Sequence, residues 1–252
     1  MADYYDFTDK VVLVTGGSRG MGKEMVKAFA KYGADVVIAS RKLDNCEELA
    51  KEIEATTGRR ALPYACHVAD WNQTTQMVED VYAHFGKVDV LVNNAGMSPL
   101  YPSLAEVSEE LFDKVIGVNL KGPYRLSALI GTRMSEGDGG SIINISSTAS
   151  FNPSPNAEPY GAAKSGLNNL TKSFAFAFGP NVRVNCIAAG PFLTEIADAW
   201  DMDAFNERAK TSIALHRGGQ PEEIVGAALY LASEHSSFTT GMVMRVDGGS
   251  HG

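Results

Sequence analysis

The stretch Lys10-Val11-Val12-Leu13-Val14-Thr15-Gly16-Gly17-Ser18-Arg19-Gly20-Met21-Gly22 decides the fold of this chain. Val11 to Val14 form an unbroken apolar run, the pattern of a strand buried on both faces, and the segment after Gly22 takes a helical period. Glycines between such a strand and helix let the backbone approach a pyrophosphate, whose charge the helix N-terminus meets. The spacing is Gly-x-x-x-Gly-x-Gly, not Gly-x-Gly-x-x-Gly, and a bare glycine cluster is more often a tight turn. Here a second strand, Ala34–Ser40, follows the helix in the order a dinucleotide site requires. Gly16, Ser18, Arg19, Gly20, Met21 and Gly22 are therefore expected to hold a cofactor.

Outward from this loop, apolar strands alternate with helical segments along the whole chain, with no linker, repeat or low-complexity tract. Strands are expected at Lys10–Thr15, Asp35–Ser40, Arg60–Cys66, Asp89–Asn93, Gly140–Ser146, Val182–Ile187 and Met242–Val246. Helices are expected at Gly20–Tyr32, Asp44–Thr57, Asn72–Phe85, Ser108–Met134, Tyr160–Phe178 and Pro221–Ser233. Solidly apolar strands alternating with helices imply an α/β fold, a mostly parallel sheet covered on both faces. The expectation for residues 1–252 is a single doubly wound, Rossmann-like domain with seven strands. Ligands of such a sheet collect at the carboxyl ends of the strands, where the strand order reverses.

Composition limits the function. The 252 residues suffice for a large core, and 44% hydrophobic with 21% charged residues is ordinary for a soluble globule. A net charge of −8 and a pI near 5.2 argue against nucleic acid and anionic membranes as partners. No apolar stretch has the length of a membrane span, and the acidic N-terminus lacks an apolar signal core, so the cytoplasm is the expected compartment. Cys46, Cys66 and Cys186 are far apart and read as reduced packing residues, and the five scattered histidines give no metal motif.

The second half carries the chemistry. Tyr160-Gly-Ala-Ala-Lys164 sets a phenol and an ammonium one helical turn apart on one face. A nearby ammonium favours phenolate, so the Tyr160 pKa is expected to fall towards working pH, making it a general acid for a carbonyl oxygen. Ser147, at the end of an apolar run, would be a second donor to that oxygen. Tyr-x-x-x-Lys alone is common on solvated helix faces; the glycine loop in the same chain gives it weight.

Thr15-Gly16-x-x-x-Gly20-x-Gly22, Asn93-Asn94-Ala95-Gly96, Asn119, Ser147 and Tyr160-x-x-x-Lys164 together resemble the motif set of the short-chain dehydrogenases/reductases. The resemblance runs from about Phe7 to Gly249. It implies that Ser147 polarises a carbonyl, that Tyr160 transfers the proton, and that Lys164 lowers the phenol pKa and binds the nicotinamide ribose. It implies that Asn119 holds a water relay to the lysine; a polar residue bonding helix backbone is the competing reading. Asn94, Ala95 and Gly96 would border the adenosine ribose. Where the family has Asp-Val after the third strand, this chain has His67-Val68, leaving the Val68 backbone as the expected contact and Asp70 nearby. Where the family has Pro-Gly after the sixth strand, this chain reads Ala189-Gly190-Pro191-Phe192-Leu193-Thr194. Gly190 and Thr194 keep the family's positions, and Thr194, with the Phe192 backbone, is implied to hold the nicotinamide carboxamide.

The second strand ends in Ser40 followed by Arg41 and Lys42, not in the carboxylate that an NAD site uses for the ribose hydroxyls. A guanidinium there pairs with a 2′-phosphate, and Arg19 approaches from the other side, so NADP(H) is expected over NAD(H). A solvated basic turn is the plainer reading of Arg41-Lys42.

The expected reaction is reversible reduction of a ketone or 3-oxoacyl thioester to a secondary alcohol. Alcohol oxidation, a non-catalytic NADPH-binding redox sensor and a structural scaffold are the alternatives. Phe192–Thr211 is expected to form a substrate lid, with Phe192, Leu193, Ile196, Trp200, Met202 and Phe205 as apolar surface; covering core is the competing reading of these residues. Met97, Pro99, Leu100 and Tyr101, with Phe151 to Asn156, would complete the walls. The family resemblance implies a homotetramer or homodimer through Ser108–Met134, Tyr160–Phe178 and the terminal strand, and Ala175 to Phe178 are apolar all round.

Overall fold

Alternate residues of the first strand face opposite sides of one sheet, and this division organises the molecule. In the computed structural model of the chain, which describes residues 4–152, 155–195, 197 and 200–250, β1 covers Val11–Thr15 and every residue of it is buried. Val12 and Val14 enter one core, while Val11 and Leu13 enter another on the opposite face. A strand buried on both faces has no polar alternation, which is why its sequence reads as a solid apolar run.

The strands are β1, β2 (Asp35–Ser40), β3 (Ala61–Ala65), β4 (Val90–Asn93), β5 (Gly140–Ser147), β6 (Val182–Ala189) and β7 (Val243–Val246). They lie in the order β3-β2-β1-β4-β5-β6-β7, and every neighbouring pair is parallel. The order reverses between β1 and β4, so the turns after these two strands open onto one crevice. Pro63 is tolerated because β3 is an edge strand, with only β2 beside it.

Helices α1 (Gly20–Lys31), α2 (Leu43–Thr57) and α8 (Val225–Ala232) cover one face through Phe29, Ile53 and Leu229. Helices α3 (Trp71–Phe85), α5 (Gly122–Glu136) and α6 (Glu158–Phe178) cover the other through Met77, Ile130 and Ala175. Between them in the chain lie α4 (Glu109–Ile116) and α7 (Met202–Ser212). No helix among the described residues is long and apolar enough to cross a membrane.

Two helical expectations are corrected, and one helix appears where none was expected. Ser108–Met134 is not one regular helix: α4 and α5 are joined by a π-helical segment, Gly117–Lys121. The β3–α3 connection presses on this point. A Cβ on Gly117 would come within 3.0 Å of the Ala69 Cβ, and one on Gly122 would overlap the Val68 carbonyl. The Asn119 side chain donates to Val115 O at 2.9 Å, one turn back, and such insertions widen a turn. Pro221–Ser233 begins as a 3₁₀ turn, Pro221–Ile224, and becomes α-helical only from Val225. Helix α7 falls in a segment whose sequence reads as lid rather than helix; Asp201 caps it through Ala204 N.

Candidate active site

The first wall is the glycine loop after β1. Gly16 (φ +62°) and Gly20 (φ +50°) take left-handed backbone that suits glycine. A Cβ on Gly16 would lie 3.0 Å from Asn94 Nδ2 and Ala95 Cα, and one on Gly22 would overlap the Gly16 carbonyl. The turn after β4 is locked onto this loop. Thr15 Oγ1 accepts from Asn94 N at 3.0 Å and Ala95 N at 3.1 Å, while Asn94 Nδ2 donates to Thr15 O and Gly16 O. Asn94 and Ala95 thus brace the loop. Thr15 was absent from the sequence-derived site; a hydroxyl ending a buried strand before glycine was the available signal.

Helix α1 starts with its positive end towards this crevice. Arg19 is its N-cap residue, makes no side-chain capping bond, and no acidic side chain lies in the first turn. Its leading N–H groups are therefore a fit for an anion. Ser18 Oγ donates to Ser40 Oγ at 3.0 Å, which brings the ends of the glycine loop and β2 together and flanks them with Arg19 and Arg41. Both arginines are exposed, and neither has an ion-pair partner among the described residues. Met21 packs partly buried against the core beneath.

The segment after β6 closes over the same loop. Gly190 N donates to Val246 O at 2.9 Å, and Leu193 N to Gly219 O at 2.8 Å. A Cβ on Gly20 would lie 3.1 Å from Thr194 Cγ2 and 3.3 Å from Glu195 Oε2. Thr194 is therefore brought to the loop as expected, accompanied by an acid the sequence reading did not single out. The Phe192 side chain, expected as lid surface, is instead buried and packs on Gly219, where a Cβ would lie 2.9 Å from its ring.

The chemical centre lies at the ends of β5 and α6. Ser147 is the last residue of β5, and its Oγ accepts from Ala149 N at 3.2 Å. Tyr160 and Lys164 lie on α6, with the Lys164 Nζ 5.6 Å from the Tyr160 ring centre. Lys164 is buried and donates to Ile145 O at 2.7 Å. Asn119 is fully buried: Nδ2 donates to Met97 O at 2.8 Å, and Oδ1 accepts from Met97 N at 3.3 Å. Gly96 joins the two groups, since a Cβ there would lie 3.2 Å from Asn119 Oδ1 and 3.6 Å from Lys164 Nζ.

Burial shapes the titration of this centre. It pushes Lys164 down to about 8, against a smaller opposing effect of Cys186. It also pushes the Tyr160 phenol up from its ordinary value, and the hydrogen bond with Ser147 pulls the other way. The sequence led us to expect a phenol lowered by Lys164. The phenol is instead raised by loss of water, and Ser147, not Lys164, is the group that pulls it down.

Other expected residues take structural places. Val68 is buried with its carbonyl against Gly122. Asp70 caps α3, accepting from Asn72 N and Gln73 N at 2.9 Å. Phe205, with Ala209 and Ile213, forms a small separate core against which Leu193 and Trp200 pack, whereas Met202 is exposed. Ile196, Pro153 and Ser154 lie outside the described residues. Tyr101 hydrogen-bonds the Glu158 carboxylate, fastening the segment after Gly96 to the start of α6. Among the described residues no group of three or more His, Cys, Asp or Glu side chains is placed to hold a metal ion.

Comparison with known proteins agrees with this geometry. A family model described as enoyl-(acyl carrier protein) reductase matches residues 16–251. The chain is 38% identical over 241 residues to the 3-oxoacyl-[acyl-carrier-protein] reductase FabG of Thermotoga maritima, covering 95% of this chain and 97% of that one. Among solved structures it resembles a 7α-hydroxysteroid dehydrogenase complexed with NADH and 7-oxo glycochenodeoxycholic acid. The TM-score is 0.92 at 30% identity, covering 97% of this chain and 95% of that one. The NADPH-dependent 3-quinuclidinone reductase of Rhodotorula rubra gives 0.91 at 28%, covering 97% and 92%. With the family match spanning nearly the whole chain and a 38% identical relative covered over almost its full length, this protein belongs to the short-chain dehydrogenase/reductase family, oxidoreductases acting between CH–OH and C=O groups.

Proposed function

We propose that the protein is an NADPH-dependent reductase of a ketone or 3-oxoacyl thioester, working through Ser147, Tyr160, Lys164 and Asn119. The observation that carries this reading is the convergence of the Ser147 hydroxyl, the Tyr160 phenol and the buried Lys164 ammonium beside Gly96. The residues present fit a nicotinamide dinucleotide. The glycines let the loop after β1 pack closely against Asn94, Ala95 and its own carbonyls, the start of α1 faces the crevice without a side-chain cap, and two guanidiniums with no ion-pair partner among the described residues flank the Ser18–Ser40 contact. When bound, the reduced nicotinamide supplies the hydride.

Each side chain has a separate task. Ala149 N occupies an acceptor site of Ser147 Oγ, and the single Ser147 O–H, bonded to Tyr160 in the free protein, would turn to donate to the carbonyl oxygen of a bound substrate. Tyr160, whose pKa burial raises from its ordinary value, delivers its proton to that oxygen. Lys164 would hold the nicotinamide ribose hydroxyls and place positive charge beside the phenol as it loses its proton. Asn119 holds Met97 and the Gly96 turn at the edge of the cleft, beside Lys164, where a water relay to the ammonium would run.

The NADP(H) preference is supported by Arg19, Arg41 and the absence of a carboxylate at the end of β2, where Ser40 stands. Residues 192–211 serve as the substrate lid in this reading. Homo-oligomer formation, as a tetramer or dimer, is supported by Phe176 on α6, which is 91% exposed.

The test is nicotinamide absorbance with NADPH and then NADH over 3-oxoacyl thioesters, cyclic ketones and sugar ketones, with Tyr160→Phe in parallel. NADPH consumption on one substrate class, lost in the variant while NADPH binding persists, is the expected result. Near-normal turnover by Tyr160→Phe would sink the mechanism. Tight NADPH binding with silence across the panel would favour the redox-sensor reading.

A further inference from the structure

The helix face that carries Tyr160 and Lys164 continues to a third polar residue at the same spacing. Asn168 lies one more turn along α6, and its side chain is bonded at both ends. Cys186 Sγ, on β6, donates to Asn168 Oδ1 at 3.5 Å, and Asn168 Nδ2 donates to Ser150 Oγ at 2.8 Å. Ser150 Oγ in turn donates to Ser147 O at 2.6 Å. An unbroken polar chain thus runs from the buried interior of β6, across α6, to the backbone of the carbonyl-polarising serine.

The segment this chain holds also orients the Ser147 hydroxyl. Thr148–Ser150 form one 3₁₀ turn, and the Ala149 N–H within it is the donor to Ser147 Oγ. The turn is seated on α6 by a second bond, Ser165 Oγ to Ser150 O at 2.9 Å. It lies so close to the helix that a Cβ on Gly161 would be 3.0 Å from Ala149 O. If the turn shifts, Ala149 N moves and the lone pair it occupies is released. The Ser147 hydroxyl is then free to rotate away from the cleft.

We infer that Asn168 is a positioning residue for Ser147, acting through Ser150 to fix the direction of the Ser147 O–H; the inference rests on the role given to Ser147 above. Asn168 touches neither substrate nor cofactor in this account. A hydrogen bond aimed at developing charge loses much of its value when its donor is not held in place.

The experiment compares Asn168→Leu, Ser150→Ala, the double variant and Ser147→Ala, with NADPH and acetoacetyl-coenzyme A or a cyclic ketone as probes. Two readouts are taken: hydrogen exchange of segment 147–151 in the protein without added ligand, and kcat beside the NADPH dissociation constant. Asn168→Leu should speed exchange in that segment and lower kcat about tenfold, with NADPH affinity unchanged. Ser150→Ala should do the same, and the double variant should lose no more than either single one, because both break one chain. Additive losses, or unchanged exchange in segment 147–151, would overturn the inference. If Asn168→Leu does not fold, Ser150→Ala decides on the same readouts. Full turnover by Ser147→Ala would instead refute the role of Ser147 in the parent reading, while exchange still reports whether Asn168 holds the turn.

Discussion

The Asn94 side chain holds Gly16 in place: its Nδ2 donates to the Gly16 carbonyl at 3.1 Å and to the neighbouring Thr15 carbonyl at 2.9 Å. One amide group thereby joins the turns after β1 and β4, the two strands at which the sheet order reverses. The glycine loop owes its shape as much to this brace from another strand as to its own glycines.

Asn94→Asp should therefore weaken the loop more than Asn94→Ala. The carboxylate cannot donate and would face two carbonyl oxygens. A loss of about 2 kcal/mol in stability is expected, at the scale of an unsatisfied, partly buried polar group. Dinucleotide binding should weaken with it. Thermal unfolding and fluorescence titration measure the two effects; unchanged NADPH affinity would show that the brace is dispensable.

Lys164→Met should abolish turnover and yet stabilise the fold at pH 7. The Lys164 pKa of about 8 lies below its ordinary value because burial penalises the ammonium. The folded state thus holds that proton less tightly than the unfolded chain does. The cost of the charge is full below about pH 8, declines as pH rises towards the ordinary lysine range, and vanishes above it. The gain from Lys164→Met should be on the order of 1–3 kcal/mol at pH 7 and shrink with rising pH. Denaturant unfolding at pH 7 and pH 9.5 checks the sign; a variant less stable at pH 7 would mean that the ammonium is well solvated.

Arg41→Ala should raise the NADPH dissociation constant about tenfold or more and leave that for NADH nearly unchanged. The guanidinium is exposed and has no ion-pair partner among the described residues. A 2′-phosphate is the group that would supply one. Calorimetric titration with both cofactors reads the difference. Equal weakening of both would relocate Arg41 from the 2′-phosphate to the shared part of the dinucleotide.

Glu195→Gln should tighten dinucleotide binding. Its carboxylate lies near Gly20 at the start of α1, where it repels a pyrophosphate through water and ions. The effect should be modest, about threefold, and shrink as salt is raised. Binding isotherms at two ionic strengths distinguish this from a steric effect, which salt would not alter.

Much of this was legible in the sequence for a physical reason. Strands buried on both faces are apolar along their length, so Val11–Val14 and Val36–Ala39 declared themselves and set the alternation that follows. The four-residue interval between Tyr160 and Lys164 is a property of any helix and needs no tertiary information. The same interval marks Asn168, but its meaning depends on Ser150 and Cys186, which reach it from other elements.

What the tertiary structure decided is how distant segments load one another. The expected Ser108–Met134 helix breaks into a π-helical segment because Val68 and Ala69 press on Gly122 and Gly117, contacts that no local propensity encodes. Phe192 and Phe205 turned inward, since an apolar side chain reads the same whether it lines a cleft or fills a core. The direction of the Tyr160 titration also belongs to the fold. The sequence supplies a neighbouring ammonium, but burial is set by everything packed around the phenol, and burial is the largest influence on it. Residue types and their spacing determined the strands, the helical face and the set of reactive groups. Only packing determined which of those groups lost their water, and so in which direction each is poised to exchange a proton.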